Sequence, residues 1–136
     1  MEVLAVGATD EELLTVADAW VDLLVAGDFV AASDFLHHPG HYDECAWTAV
    51  EIETYLANYG SWDPYDDGRV YRVTTRRDAT GDHLPHRDVI RFTDDRLPRI
   101  ECDLPLNGEW SDLTAVLQVE AVDGGWALSL YDLRVF

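Results

Sequence analysis

Residues 113–135 read LTAVLQVEAVDGGWALSLYDLRV. Leu113, Ala115, Leu117, Val119 and Ala121 recur at every second position, so they share one face of an extended strand. Asp123-Gly124-Gly125 supplies a turn that admits positive φ, and the alternation resumes at Trp126. There Trp126, Leu128 and Leu130 share a phase with Asp132, while Ala127, Ser129, Tyr131, Leu133 and Val135 take the other. The pattern predicts a long antiparallel hairpin over 113–122 and 126–135. A period of two also marks 70–77, 88–93 and 97–104 as shorter strands.

Upstream of Arg69 the period is helical. Thr9 followed by Glu12 forms a capping box, and Leu13, Val16, Ala17, Trp20, Val21 and Leu24 recur on one helix face. Gly27 offers a left-handed stop, and Asp28 caps a shorter helix carrying Phe29, Ala32, Phe35 and Leu36. Thr48 and Glu51 repeat the capping box before Ile52, Tyr55, Leu56 and Tyr59, with Gly60 as the stop. The segment 37–43 and the aromatic, acidic SWDPYDDG at 61–68 are loops. Helices first and antiparallel strands afterwards define an α+β domain, with the sheet laying one face on the helices. A chain of 136 residues makes this one domain, 1–136.

Charge is uneven. The chain carries 27 acidic and 9 basic residues, a net charge of −18, and has no lysine. Residues 1–68 hold 15 acidic groups and no basic one, whereas 69–99 hold 8 Arg and 5 Asp. Such a balance excludes a simple nucleic-acid binder and gives no attraction to anionic lipid. It is either the habit of a host that uses Arg and Asp freely, or a face that docks a basic protein partner. The Arg-rich segment is expected to neutralise part of the acidic half internally. No apolar run is long enough to span a membrane and no basic stretch precedes an apolar one at the start, so a cytoplasmic location is expected. Cys45 and Cys102 make no disulfide framework, and reduced thiols are the expectation.

Several side chains invite chemistry. The string HHPGHYDEC brings His37, His38 and His41 close in sequence to Asp43, Glu44 and Cys45, all zinc-ligand types, though in no recognised spacing. His83 and His86 flank a proline and cannot share one helix face. Asp132, on an apolar phase, must be paired, neutral or carried off that face by a bulge, with Arg91 or Arg134 as a partner. Glu101 and Asp103 alternate with Ile100, Cys102 and Leu104 and should lie on the wetter face. Trp62, Asp63, Tyr65, Asp66 and Asp67 combine aromatics with carboxylates, the composition of a protein-docking loop. Ser61, Ser111 and Ser129 have no nucleophile elbow, and no phosphate loop or dinucleotide fingerprint calls for a cofactor.

The segment WVDLLVAGDFVAASDFL, 20–36, resembles the nuclear transport factor 2-like superfamily, in which an opening helix ends in a similar Ala-Gly-Asp before a short helix. The closing GEWSDLTAVLQVEAVDGGWALSLYDLRVF, 108–136, resembles the last two strands of that fold. It is similar above all to a group of small uncharacterised bacterial proteins with a Ser-Asp-Leu-Thr strand start and an Asp-Leu-x-Val ending. The resemblance implies a curved, cone-like sheet around the helices, with a pocket lined by Trp20, Tyr55, Tyr59 and Tyr71. Asp132 or Asp88 would be the base if the cone served an isomerase, dehydratase or cyclase. Ketosteroid isomerase-like members carry a catalytic tyrosine where Trp20 stands, and an indole cannot act as that acidic phenol. The expected function is therefore a small acidic, non-enzymatic binding domain, for instance an immunity-type protein that neutralises a basic toxin. The alternative is an enzyme or carrier of a small molecule. Sheets of this kind also pair into homodimers.

Overall fold

The computed structural model describes residues 1–39, 47–81 and 84–135. Among these residues three helices precede four strands: α1 (Asp10–Val25), α2 (Phe29–Phe35), α3 (Ala49–Ala57), β1 (Arg87–Ile90), β2 (Arg99–Leu106), β3 (Glu109–Val122) and β4 (Gly125–Val135). The strands form one open antiparallel sheet in the order β1-β2-β3-β4. The fold is α+β. No helix among the described residues is long and apolar enough to cross a membrane.

Helix ends follow their local chemistry. Thr9 and Glu12 close a reciprocal capping box on α1, and Thr48 and Glu51 do the same on α3. The Asp28 carboxylate accepts from the Ala31 N–H at the start of α2. Leu13, Ala17, Trp20, Val21 and Leu24 form the buried stripe of α1. They share one core with Ile100, Leu104, Leu113, Leu117, Leu128 and Leu133. Asp18, elsewhere on α1, reaches Arg76 and Arg87, while Asp10 reaches Arg91 at 2.7 Å. These pairs show how the basic segment folds back on the acidic helix.

The sheet departs from the alternation in three places. Asn107 and Gly108, at φ 53° and 84°, make a two-residue hairpin turn, so β3 begins at Glu109 rather than Leu113. The register slips between Asp103 and Pro105, and the Ser111 hydroxyl donates to the Leu104 carbonyl there at 2.6 Å. Residues 70–77 do not form the expected strand; they make one bridge, Val73 to Leu106. Thr74 N–H donates to the Pro105 carbonyl, but Pro105 has no N–H to return. On the other side of the bridge the Arg72 N–H goes to the Asn107 side chain, so the ladder ends in both directions.

The outer edge of β4 is closed by pieces of chain from the helical half. Leu4 and Trp126 exchange backbone bonds of 2.7 and 2.8 Å, and the His37 N–H donates to the Leu128 carbonyl at 2.7 Å. A Cβ on Gly125 would collide with the Leu4 carbonyl, which is why the turn keeps glycine at the strand start.

After α3, Tyr59 and Gly60 both take positive φ, and Gly60 lies flat against the end of the β3–β4 hairpin. A Cβ there would sit 2.9 Å from Leu113 Cδ1 and 3.3 Å from the Leu133 carbonyl oxygen. Gly108 has the same φ of 84° and open space around it. Gly108→Ala should therefore lose only the left-handed backbone term, about 1 kcal/mol, in urea melts. Gly60→Ala should lose at least about twice that, because a contact is added to the strain; equal losses would show that the packing at Gly60 is slack.

Candidate functional site

Two faces of the hairpin must be distinguished. Leu113, Ala115, Leu117, Val119, Trp126, Leu128, Leu130 and Leu133 face the core with α1. The register places Arg99, Glu101 and Asp103 of β2 beside Gln118, Val116 and Thr114 of β3, on the opposite face. The β4 partners of that face are Ser129, Asp132 and Arg134. Between Val116 and Leu117 the β4 register slips by one, leaving Tyr131 as an extra residue. That bulge takes Asp132 off the apolar phase.

This second face is not wet. Glu101, Asp103, Thr114 and Ser129 are buried, and Val116 is fully so. Their polar groups are therefore satisfied internally. Thr114 Oγ1 donates to Asp103 Oδ1 at 2.7 Å, and the His86 N–H donates to Asp103 Oδ2 at 2.9 Å. His86 also lies between Glu101, 3.1 Å from Nε2, and Asp88, 3.0 Å from Nδ1. Glu101 and Asp103 thus sit on the face opposite Ile100 and Cys102, as the alternation requires, but under a cover of their own partners rather than in water.

Further along the same face and round the outer edge of β4, beyond the bonds from Leu4 and His37, opens a cleft of about 750 Å³. Its helical bank is His37, His38, Pro39, Trp47, Glu51, Tyr55 and Trp62. Its sheet bank includes Phe92, Arg96, Leu97, Arg99, Gln118, Glu120, Ser129, Tyr131, Asp132 and Arg134. Trp47, Tyr55 and Trp62 meet edge to face in a row, with ring centres 5.0 and 4.8 Å apart. Gln118 spends its amide on the carbonyls of Leu97 and Pro98, which pins the β1–β2 connection to the sheet.

Each carboxylate that lines the cleft among the described residues is engaged. Glu51 accepts from the Thr48 N–H, Glu120 from the Ser129 hydroxyl, and Asp132 from the Leu133 N–H at 2.9 Å. Asp132 also lies 4.0 Å from Arg134. Asp88 is exposed on β1, beside His86 and away from this cleft.

Of the aromatic residues expected in one pocket, the structure places only Tyr55 at the cleft. Trp20 is in the core with none of its surface exposed, and its indole N–H donates to the Ala32 carbonyl at 3.1 Å. That carbonyl lies in the last turn of α2, where the Leu36 N–H goes to Ser33 instead. Tyr59 and Tyr71 belong to a second aromatic row with Tyr65, their centres 5.0 and 5.9 Å apart. The Tyr59 hydroxyl donates to the Asp112 carboxylate, and burial, followed by that bond, raises its pKa above the ordinary phenol value.

The docking-loop residues divide in the same way. Trp62 is 53% exposed at the rim of the cleft, and Asp63 and Asp66 are exposed beyond it. Asp67 pairs with Arg69, whose guanidinium lies over the Tyr65 ring at 4.2 Å. Among the expected metal ligands, His38 Nε2 lies 2.8 Å from the Ser33 carbonyl and His37 is tied by its backbone to Leu128. His41 and His83 lie outside the described residues, as do Asp43, Glu44 and Cys45. No cluster of three metal-ligating side chains occurs among the described residues. Trp47, Phe92, Arg99 and Tyr131 were not singled out from the sequence. Phe92 and Arg99 had one signal, FTDDRLPR, 92–99, an arginine pair beside an aromatic in an acidic chain; Trp47 and Tyr131 had none.

No protein-family model, no curated protein and no solved structure matches the chain.

Cys102 faces the core as a free thiol, and burial pushes its pKa from 9.0 up to about 12, with Asp18 and Asp103 adding to the shift. A group kept protonated in this way is no nucleophile at neutral pH. The unfolded thiol ionises from pH 9.0 and the folded one only near 12, so the unfolded chain binds fewer protons across that window. The stability the buried thiol contributes is fully present below pH 9.0 and drains away as pH rises toward 12. The decline should approach about 1.4 kcal/mol per pH unit. Denaturant melts of Cys102→Ala should show a shallower decline over the same range; identical slopes would place the thiol in contact with solvent.

Proposed function

We propose that this chain is a binding domain without catalytic activity, and that the cleft at the β4 edge is where it binds. One observation carries the reading: an open cleft of about 750 Å³ in which the lining carboxylates among the described residues, Glu51, Glu120 and Asp132, are held by protein donors. Its size suits a small organic molecule. A carboxylate that is to act as a general base must be free to reach the reacting atom. Glu51, Glu120 and Asp132 instead hold an N-cap, a strand hydroxyl and a bulge. The nuclear transport factor 2-like assignment, with its cone-shaped sheet, is part of this proposal. It draws support from 20–36 and from helices that precede an antiparallel meander.

A second reading, docking of a basic protein on the helical half, is favoured by a different observation. Glu2, Glu11, Asp22, Asp34, Glu53, Asp63 and Asp66 are exposed and form no ion pair among the described residues. They leave a negative surface after the arginines have found Asp10, Asp18 and Asp67. An immunity-type neutraliser is one form such a domain takes.

Two-dimensional NMR with a set of neutral aromatic fragments tests the first reading. Shifts should concentrate at Trp47, Tyr55, Trp62, Ser129 and Tyr131. Perturbations scattered over the surface, with none at the cleft, would exclude it. For the second reading, a captured basic protein should be released at about 0.5 M salt and by Glu53→Gln/Asp63→Asn/Asp66→Asn; retention under both conditions would refute it.

A further inference from the structure

We propose that the ligand of the cleft is a planar organic acid, an aromatic ring bearing a carboxylate, and that Arg99 receives the anionic group. The proposal rests on the cleft as the binding site, argued above, and adds the chemistry of what enters it.

In a chain of net charge −18 with nine basic residues, Arg96, Arg99 and Arg134 all line this one cleft. They are not equivalent. Arg96 is held by both oxygens of Asp94, at 3.0 and 2.9 Å, and lies over Phe92. Arg134 approaches Asp132. Arg99 forms no ion pair among the described residues. Its guanidinium lies 5.8 Å from the centre of the Phe92 ring and 5.1 Å from that of Tyr131. Its Nε is buried and meets no acceptor there.

The Arg99 Nε–H is thus taken out of water with no acceptor among the described residues, which is unfavourable for a charged group. Cation–π contact offsets part of that and fixes the plane of the group. The fork that remains matches a carboxylate in two parallel hydrogen bonds. The helical bank supplies an independent observation. The Trp47 indole N–H is also buried without an acceptor among the described residues. Two residues lining the cleft therefore hold buried donors without acceptors, and its carboxylates among the described residues are engaged elsewhere. A ligand that brings acceptors fits this surface; one that brings a cation meets Arg99. The edge-to-face row of Trp47, Tyr55 and Trp62 gives a flat ring its wall.

The net charge of the chain acts against an anion at long range, and salt screens that repulsion more than it screens the dry contact at Arg99. Affinity for the acid should hold or rise with ionic strength, the reverse of capture by surface cations.

The experiment compares 1-naphthoate, 1-naphthamide and 1-naphthylmethylammonium on the whole chain by calorimetry and tryptophan fluorescence. The acid should bind about tenfold tighter than the amide, and the ammonium weakest. In Arg99→Gln the acid should fall to the level of the amide while amide binding holds. Should that variant not fold, the wild-type Arg99 Nε–H resonance, assigned with Arg99→Lys, should move with the acid and stay still with the amide. A tighter ammonium, an acid preference that survives Arg99→Gln, or an unmoved Nε–H signal would overturn the organic acid while leaving the cleft as a binding site. Failure of all three probes to bind at about 1 mM would overturn both.

Discussion

A sheet buried on both faces, only one of them apolar, is the constraint from which the rest of this structure follows. The core face needs nothing but shape, and α1 supplies it with Leu13, Trp20, Val21 and Leu24. The other face carries Glu101, Asp103, Thr114 and Ser129 out of water, and each buried polar group must find a partner or be paid for in stability. Thr114 and the His86 backbone meet Asp103, and Ser129 meets Glu120. Near β1 this network is complete enough to seal the face. Towards the outer edge of β4 the partners run out, and there the cleft opens, with Arg99 and Trp47 still holding buried donors. Site and fold are two ends of one hydrogen-bonding problem.

The helices serve the sheet by closing its edge as well as its core. Leu4 and His37 take the outward backbone groups of β4 that would otherwise recruit another chain. The α2 helix is short, and its terminal carbonyls are taken up one by one: Ala32 by the Trp20 indole, Ser33 by the Leu36 N–H, Phe35 by the Glu2 N–H. Trp20 is thus a tie between two helices, which explains why a residue on the apolar stripe of α1 carries a polar atom at all. At the end of α3, Gly60 allows the chain to pass against Leu113 and Leu133. That passage sends Tyr55 and Trp62 to the cleft and Tyr59 to Asp112, and so separates the two aromatic rows.

What was legible in the sequence is what depends on nearest neighbours. The capping boxes at Thr9 and Thr48 and the Asp28 cap involve residues three apart, and they stand where the spacing put them. The alternation of 113–122 identified the core face because every second side chain there is apolar. The strand expected over 70–77 failed where one residue breaks the count: Pro105 withholds an N–H and ends the pairing. The bulge to which an in-phase Asp132 pointed is there, at Tyr131, and it moves Asp132 to the other face. Asn107-Gly108 was a readable hairpin signal that went unread, at the cost of four residues of β3. The cleft was the least visible feature. Its aromatics and arginines come from the approach to α3, the β1–β2 connection and β4, and no local pattern links Trp47 to Arg99 or Tyr131.

The charge distribution looks different once the partners are known. Asp18 holds two arginines and Asp10 a third, so the acidic helix and the basic segment are complementary parts of one surface. Such exposed pairs stabilise little individually. Their larger effect is to remove arginine from the rest of the surface, which leaves most of the remaining helical carboxylates unopposed. Against that background a cation held away from carboxylates is conspicuous, and Arg99 is held so by Phe92, Tyr131 and the register with Gln118 rather than by any acid. The field of the whole molecule would draw a free lysine-like charge towards the helices. A guanidinium in contact with two rings, on a strand whose register against Gln118 is fixed, does not follow it. The placement of Arg99, more than net charge, is therefore what separates the cleft from the surface around it.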